Sequence, residues 1–147
     1  MASFEVIALD PTTPQLRAPG ASDDYKFPRP ATFEKGVLPR IASAATTSSP
    51  LSWNSDSYDI YELTALAGNL TINADSGTPV NGQKMLFRIK DSGSARTLTW
   101  TTGTTKAFRE IGVVLPNTTF VNKVVYVGCV YNSTDARWDA IAVGQEL

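Results

Sequence analysis

The residues from which acid–base chemistry could be built are the carboxylates Asp56, Asp59, Glu62, Asp75, Glu110 and Asp139. Two such groups about 5–10 Å apart would suit glycoside hydrolysis. Their spacing argues against it. Asp59 and Glu62 are three positions apart, so in a strand they project from opposite faces and cannot converge. Asp56 and Asp75 have Ser or Gly neighbours, where carboxylates commonly serve turns. The chain has no His, which removes the commonest general base at neutral pH and the commonest metal ligand. A nucleophilic serine therefore lacks its usual partner. The single cysteine, Cys129, lies in the apolar run Val124–Val130 and reads as a small buried hydrophobe. Asp23-Asp24 is an isolated acidic pair without the loop pattern of a calcium site. The expectation is a protein that is not an enzyme, with no catalytic residues, no cofactor and no metal.

Aromatic side chains offer a second kind of chemistry, since exposed rings can stack on sugars. The candidates are Trp53, Trp100, Trp138, Tyr58, Tyr61 and Tyr131. Trp100 alternates in phase with Leu98, and Trp138 lies among small and apolar residues, so both are expected to pack internally. Trp53 remains as the glycan-stacking candidate.

The elements that must position these residues divide into two parts. Of 147 residues, 42% are hydrophobic and 18% charged, with a formal net charge of −1. That is a globular mixture with no basic block for nucleic acid. No basic segment followed by an apolar stretch opens the chain, and no window of about 18 apolar residues occurs. Neither a secretion signal nor a membrane span is expected. The sequons at Asn69, Asn117 and Asn132 are read as chance in a Thr-rich β protein.

Seven of the nine prolines fall in the first 50 residues. Each fixes φ and removes an N–H, so no helix of normal length fits between them. Residues 1–50 are read as an extended arm, with one short strand at Phe4–Leu9 and a linker over residues 42–50. Its apolar side chains are too irregularly spaced for a core of their own. Phe4, Ile7, Leu9, Leu16, Tyr25, Phe27 and Phe33 are the expected anchors on a partner.

From residue 51 the pattern changes to short β-runs separated by turns. Asn81-Gly82 and Asp91-Ser92-Gly93-Ser94 mark turns. Between them Met85, Phe87 and Ile89 share one face, and Lys84, Arg88 and Lys90 the other, with Leu86 as the exception. Lys123–Tyr131 is apolar on both faces, as a strand covered on both sides would be. Seven or eight strands without helical periodicity predict an all-β fold, a β-sandwich or jelly roll, over residues 51–147. No internal repeat of the propeller or solenoid kind is apparent.

Several short segments carry a resemblance. They are Gly77–Lys84, Arg88-Ile89-Lys90-Asp91, Arg96–Trp100, Leu115-Pro116, Tyr126-Val127-Gly128, Tyr131-Asn132, Trp138-Asp139 and Val143–Glu146, with Trp53–Asp56 following the linker. In this order they resemble a domain of tailed-bacteriophage virion proteins. The resemblance covers residues 51–147 and includes no catalytic motif. It implies a homotrimeric jelly-roll knob of the kind found in capsid decoration (cement) proteins, head fibres and tail fibres. A short chain with one arm and one knob favours a decoration protein held by its arm on the major capsid protein or another virion protein. A tail fibre or tail adaptor that binds a host glycan is the alternative. The implied location is the virion, after synthesis in the host cytoplasm, with no nucleic acid or membrane partner.

Overall fold

The computed structural model describes residues 38–147. The chain divides between Val37 and Leu38. The anchors Phe4, Ile7, Leu9, Leu16, Tyr25, Phe27 and Phe33, the expected strand at Phe4–Leu9 and the pair Asp23-Asp24 lie outside the described residues.

The described unit is all-β, with eight strands and no helix among its residues. They are β1 (Ile41–Ala44), β2 (Ile60–Leu66), β3 (Leu70–Ile72), β4 (Lys84–Asp91), β5 (Leu98–Trp100), β6 (Ala107–Glu110), β7 (Val124–Asn132) and β8 (Arg137–Gln145). The expected boundary at residue 51 moves back. β1 pairs with β2 over Ile41–Ala44, so residues assigned to arm and linker belong to the β unit. Arg40 fastens this entry, donating to the Asp59 carboxylate from its backbone N–H (2.8 Å), Nε (3.1 Å) and Nη2 (2.8 Å).

The pairing also departs from a jelly roll, which is antiparallel. A six-stranded sheet runs in the order β1-β2-β4-β7-β8-β6, and β3-β5 form a second sheet. β1–β2, β2–β4, β3–β5 and β6–β8 are parallel; only β4–β7 and β7–β8 are antiparallel. Parallel neighbours need long crossovers, usually supplied by helices. Here the crossovers run through the second sheet instead. The chain leaves β1 and places Leu51 beside Ile72, leaves β2 to form β3, and leaves β4 to form β5. Each circuit thus lays one segment on each sheet, parallel to the one before, as in a solenoid. The circuits are unequal, with register partners at Ile41, Ile60 and Leu86, so no repeat is visible in the sequence. β7 and β8 then extend the large sheet by hairpin pairing, and β6 forms its far edge beside β8.

Alternation positions the core as expected. In β4, Met85, Phe87, Ile89 and Asp91 are buried while Lys84, Leu86, Arg88 and Lys90 face outward. Register extends this across the sheet: Ala42, Tyr61, Phe87 and Val127 form one inner row, which ends at the exposed Val143 of β8. The two sheets meet over a shared aromatic cluster, in which Phe87 packs edge-on against Trp100 of β5 at 5.4 Å and against Trp53 at 5.2 Å. Each such buried side chain contributes about 1.5–3 kcal/mol, and aromatic pairing adds about 0.5–1.5 kcal/mol. The Asn81-Gly82 signal makes a type II turn, not a two-residue hairpin. Gln83 N–H donates to Val80 C=O at 3.0 Å, and Gly82 takes φ +80°, the left-handed region that turn requires.

Candidate functional site

The candidate carboxylates are distributed among separate structural tasks. Asp56 accepts bonds from Thr78 N–H and Oγ1 (2.9 and 3.1 Å to Oδ1). Asp59 is held by Arg40, whose hydrogen bond keeps this carboxyl below its usual range against the opposing effect of partial burial. Glu62 pairs with Arg88 at 2.9 Å, and Glu110 accepts Leu115 N–H at 2.8 Å. Asp139 and Asp135 hold Arg109, at 2.7 and 2.8 Å.

Asp75 is the most enclosed of the six, at 3% exposure. Its Oδ1 accepts Ser55 N–H (3.0 Å) and Gly77 N–H (2.8 Å). Its Oδ2 accepts Ser55 Oγ (2.6 Å) and Trp138 Nε1 (3.2 Å). All the donors converge on this one group, so it ties the loop at 54–56, the loop at 75–78 and the last strand together. Gly77 is required for that approach: a Cβ there would lie 2.6 Å from Asn54 Oδ1 and 2.7 Å from Ser55 Oγ.

Trp53 is not a sugar platform. It is 1% exposed, packed against Tyr61, Phe87, Phe108 and Trp138, and its indole N–H donates to Asn73 C=O at 2.7 Å. Its position beside the linker suggested exposure, but the fold carries it between the two sheets. Trp100 and Trp138 are internal as expected, at 8% and 0% exposure. Cys129 is likewise buried, and desolvation pushes its thiol up to about 12.

What remains open is the outer face of the large sheet. Register aligns Ile41, Ile60, Leu86, Gly128 and Ala142 in one row across five strands. At about 4.8 Å per strand this row is roughly 19 Å long. An apolar groove of about 310 Å³ follows it, lined by Ile60, Leu86, Gly128, Val130, Ile141 and Ala142, with Pro39, Asp59 and Lys84 at its rim. The neighbouring row is polar and cross-linked. Ser43 Oγ donates to Glu62 at 2.7 Å, Glu62 pairs with Arg88, and the Arg88 guanidinium lies over the Tyr126 ring at 5.7 Å. The face therefore has an apolar stripe beside a rigid charged ladder.

This stripe was partly legible. Leu86 broke the alternation of β4, and β7 was apolar on both faces. The structure places the second face of β7 outward, with Tyr126 37% exposed and uncovered by any described strand. The contributions of Ile60 and Ala142 depend on strand order and could not be read from the sequence.

Comparison of the chain with family models, with curated proteins and with solved structures finds no match.

Proposed function

We propose that this chain is a non-enzymatic structural component of a tailed-phage virion, a capsid decoration protein acting as a homotrimer. The segment before Leu38 anchors it to the shell, and the β unit forms an outward knob. The observation that carries an interaction role is the apolar stripe Ile60–Leu86–Gly128–Ala142 on the outer sheet face. Ordered apolar surface of this kind, rimmed by polar residues, marks protein contacts. The link to a virion rests on the sequence resemblance. The jelly-roll connectivity that this resemblance implies is not the one the β unit has. The effect on the particle is mass action: a protein that binds only the assembled shell stabilises it. The glycan-binding form of the tail-fibre alternative loses its stacking residue, since Trp53 is internal.

The test is detection by antibody in gradient-purified phage particles. Banding with full heads, and reduced occupancy when Phe27 and Phe33 are changed to Ala, are the expected results. Banding with tails alone would favour the adaptor reading. Absence from every particle fraction would end the virion assignment.

A further inference from the structure

We propose that the edge of β1 that no described strand pairs is a docking site for a second copy of this chain, whose own β1 adds antiparallel across a two-fold axis at Ala42. The proposal goes beyond the virion reading and does not depend on it.

The phase of the β1–β2 ladder defines the edge. Ile60 N–H donates to Arg40 C=O at 3.1 Å, with Ile41 opposite Ile60. The backbone groups of Ala42 and Ala44 consequently face β2, while the N–H and C=O of Ile41 and Ser43 face away. Among the described residues no strand meets them. The second sheet ends at the same circuit, where Leu51 bridges Ile72. Between the two edges lies an opening of about 360 Å³ that reaches the core residues Leu51 and Leu63 and is flanked by Tyr58 and Tyr61. An added strand would satisfy the backbone and cover the opening together.

Natural sheets protect their edges with charges, prolines or bulges. The opposite edge does so: β6 carries Arg109 and Glu110, and Phe108 is bridged by Thr102. β1 carries none of these. Ile41–Thr47 has no charge and no proline. Unpaired edge groups accept an extended strand through main-chain hydrogen bonds.

The symmetry of the edge selects a second copy. Its two outward residues flank Ala42. Antiparallel self-pairing sets Ile41 opposite Ser43 of the second copy, and Ser43 opposite its Ile41, each pair exchanging both N–H···O bonds. Ala42 meets Ala42 of the second copy on the inner side, where methyl groups leave the opening uncrowded. No like charges oppose each other across the axis, and the nearest carboxylate, Glu62, is held by Ser43 and Arg88.

The experiment is amide hydrogen exchange on the full chain by NMR over a dilution series, with molar mass from light scattering. Ile41 and Ser43 amides should be protected at high concentration and lose protection on dilution, while Ala42 and Ala44 stay protected throughout. Ser43→Pro, which removes one outward N–H, should halve the molar mass at a given concentration where this two-fold joins two units, whether each unit is one chain or a trimer. Ser43→Ala, which loses only the hydroxyl bond to Glu62, should leave the mass unchanged. Ile41→Lys places a charge on the edge and should also halve the mass, which covers the case of a Pro variant that fails to fold. Fast exchange of Ile41 and Ser43 at every concentration overturns the proposal. So does protection that ignores concentration, which would put a segment of the same chain on the edge. A molar mass unchanged by both edge variants overturns it as well.

Discussion

Replacing Asp75 by Asn changes the group on which three segments converge while leaving its size nearly the same. The carboxylate accepts four hydrogen bonds, two at each oxygen. An amide offers one oxygen only. If that oxygen keeps the Ser55 and Gly77 backbone donors, the new NH₂ faces the Ser55 hydroxyl and the Trp138 indole. The hydroxyl can rotate to accept, but the indole N–H cannot, and a buried donor is left without a partner. That orphan costs about 1–3 kcal/mol, and the other bonds fall from charge-assisted to neutral strength. The opposite flip is worse, because two backbone N–H groups would then face NH₂. Asn also removes the cost of burying a charge, which acts in the stabilising direction. With four donors in place the hydrogen-bond loss wins, and the expected destabilisation is about 2–5 kcal/mol. Guanidinium unfolding followed by tryptophan fluorescence should show a lower midpoint with an unchanged slope. A change within about 0.5 kcal/mol of zero, or a gain in stability, would refute the view of Asp75 as the tie between these segments.

Gly77→Ala should destabilise by about 1–3 kcal/mol in the same assay, because the added methyl meets Asn54 Oδ1 and Ser55 Oγ at sub-contact distance. Asp91 supplies a pH dependence. Burial pushes its carboxyl up, but bonds from Asn122 N–H, Gly93 N–H and Thr119 Oγ1, with the Arg96 charge, outweigh this and leave it below the usual range. Its contribution to stability is therefore complete above the unfolded value of about 3.9 and is lost as pH falls through the lower folded value. Asp91→Asn should flatten that acid limb in unfolding curves taken between pH 2 and 5, roughly the range where carboxylates titrate. Cys129 should resist thiol reagents at pH 8 in the folded protein and react once the chain is unfolded, since its thiol is buried and pushed up to about 12.

The alternating runs around Phe87 and Trp100 gave strand positions and inward faces that the structure keeps, because a side chain's face in a strand depends only on its neighbours two residues away. The turn at Asn81-Gly82 was visible for a similar reason: a positive φ is a property of one residue. Strand direction and order had no such local signature. A run that is apolar on one face reads the same whether its neighbour is parallel or antiparallel, so the jelly-roll expectation and the parallel stack share one hydrophobic pattern. Trp53 was misjudged because its burial depends on Phe87, Phe108 and Trp138, side chains from strands far along the chain that the fold packs around its ring. The apolar stripe on the outer face is likewise a property of register. Ile60, Leu86, Gly128 and Ala142 come from four strands distant in the chain, and backbone pairing alone brings them into line.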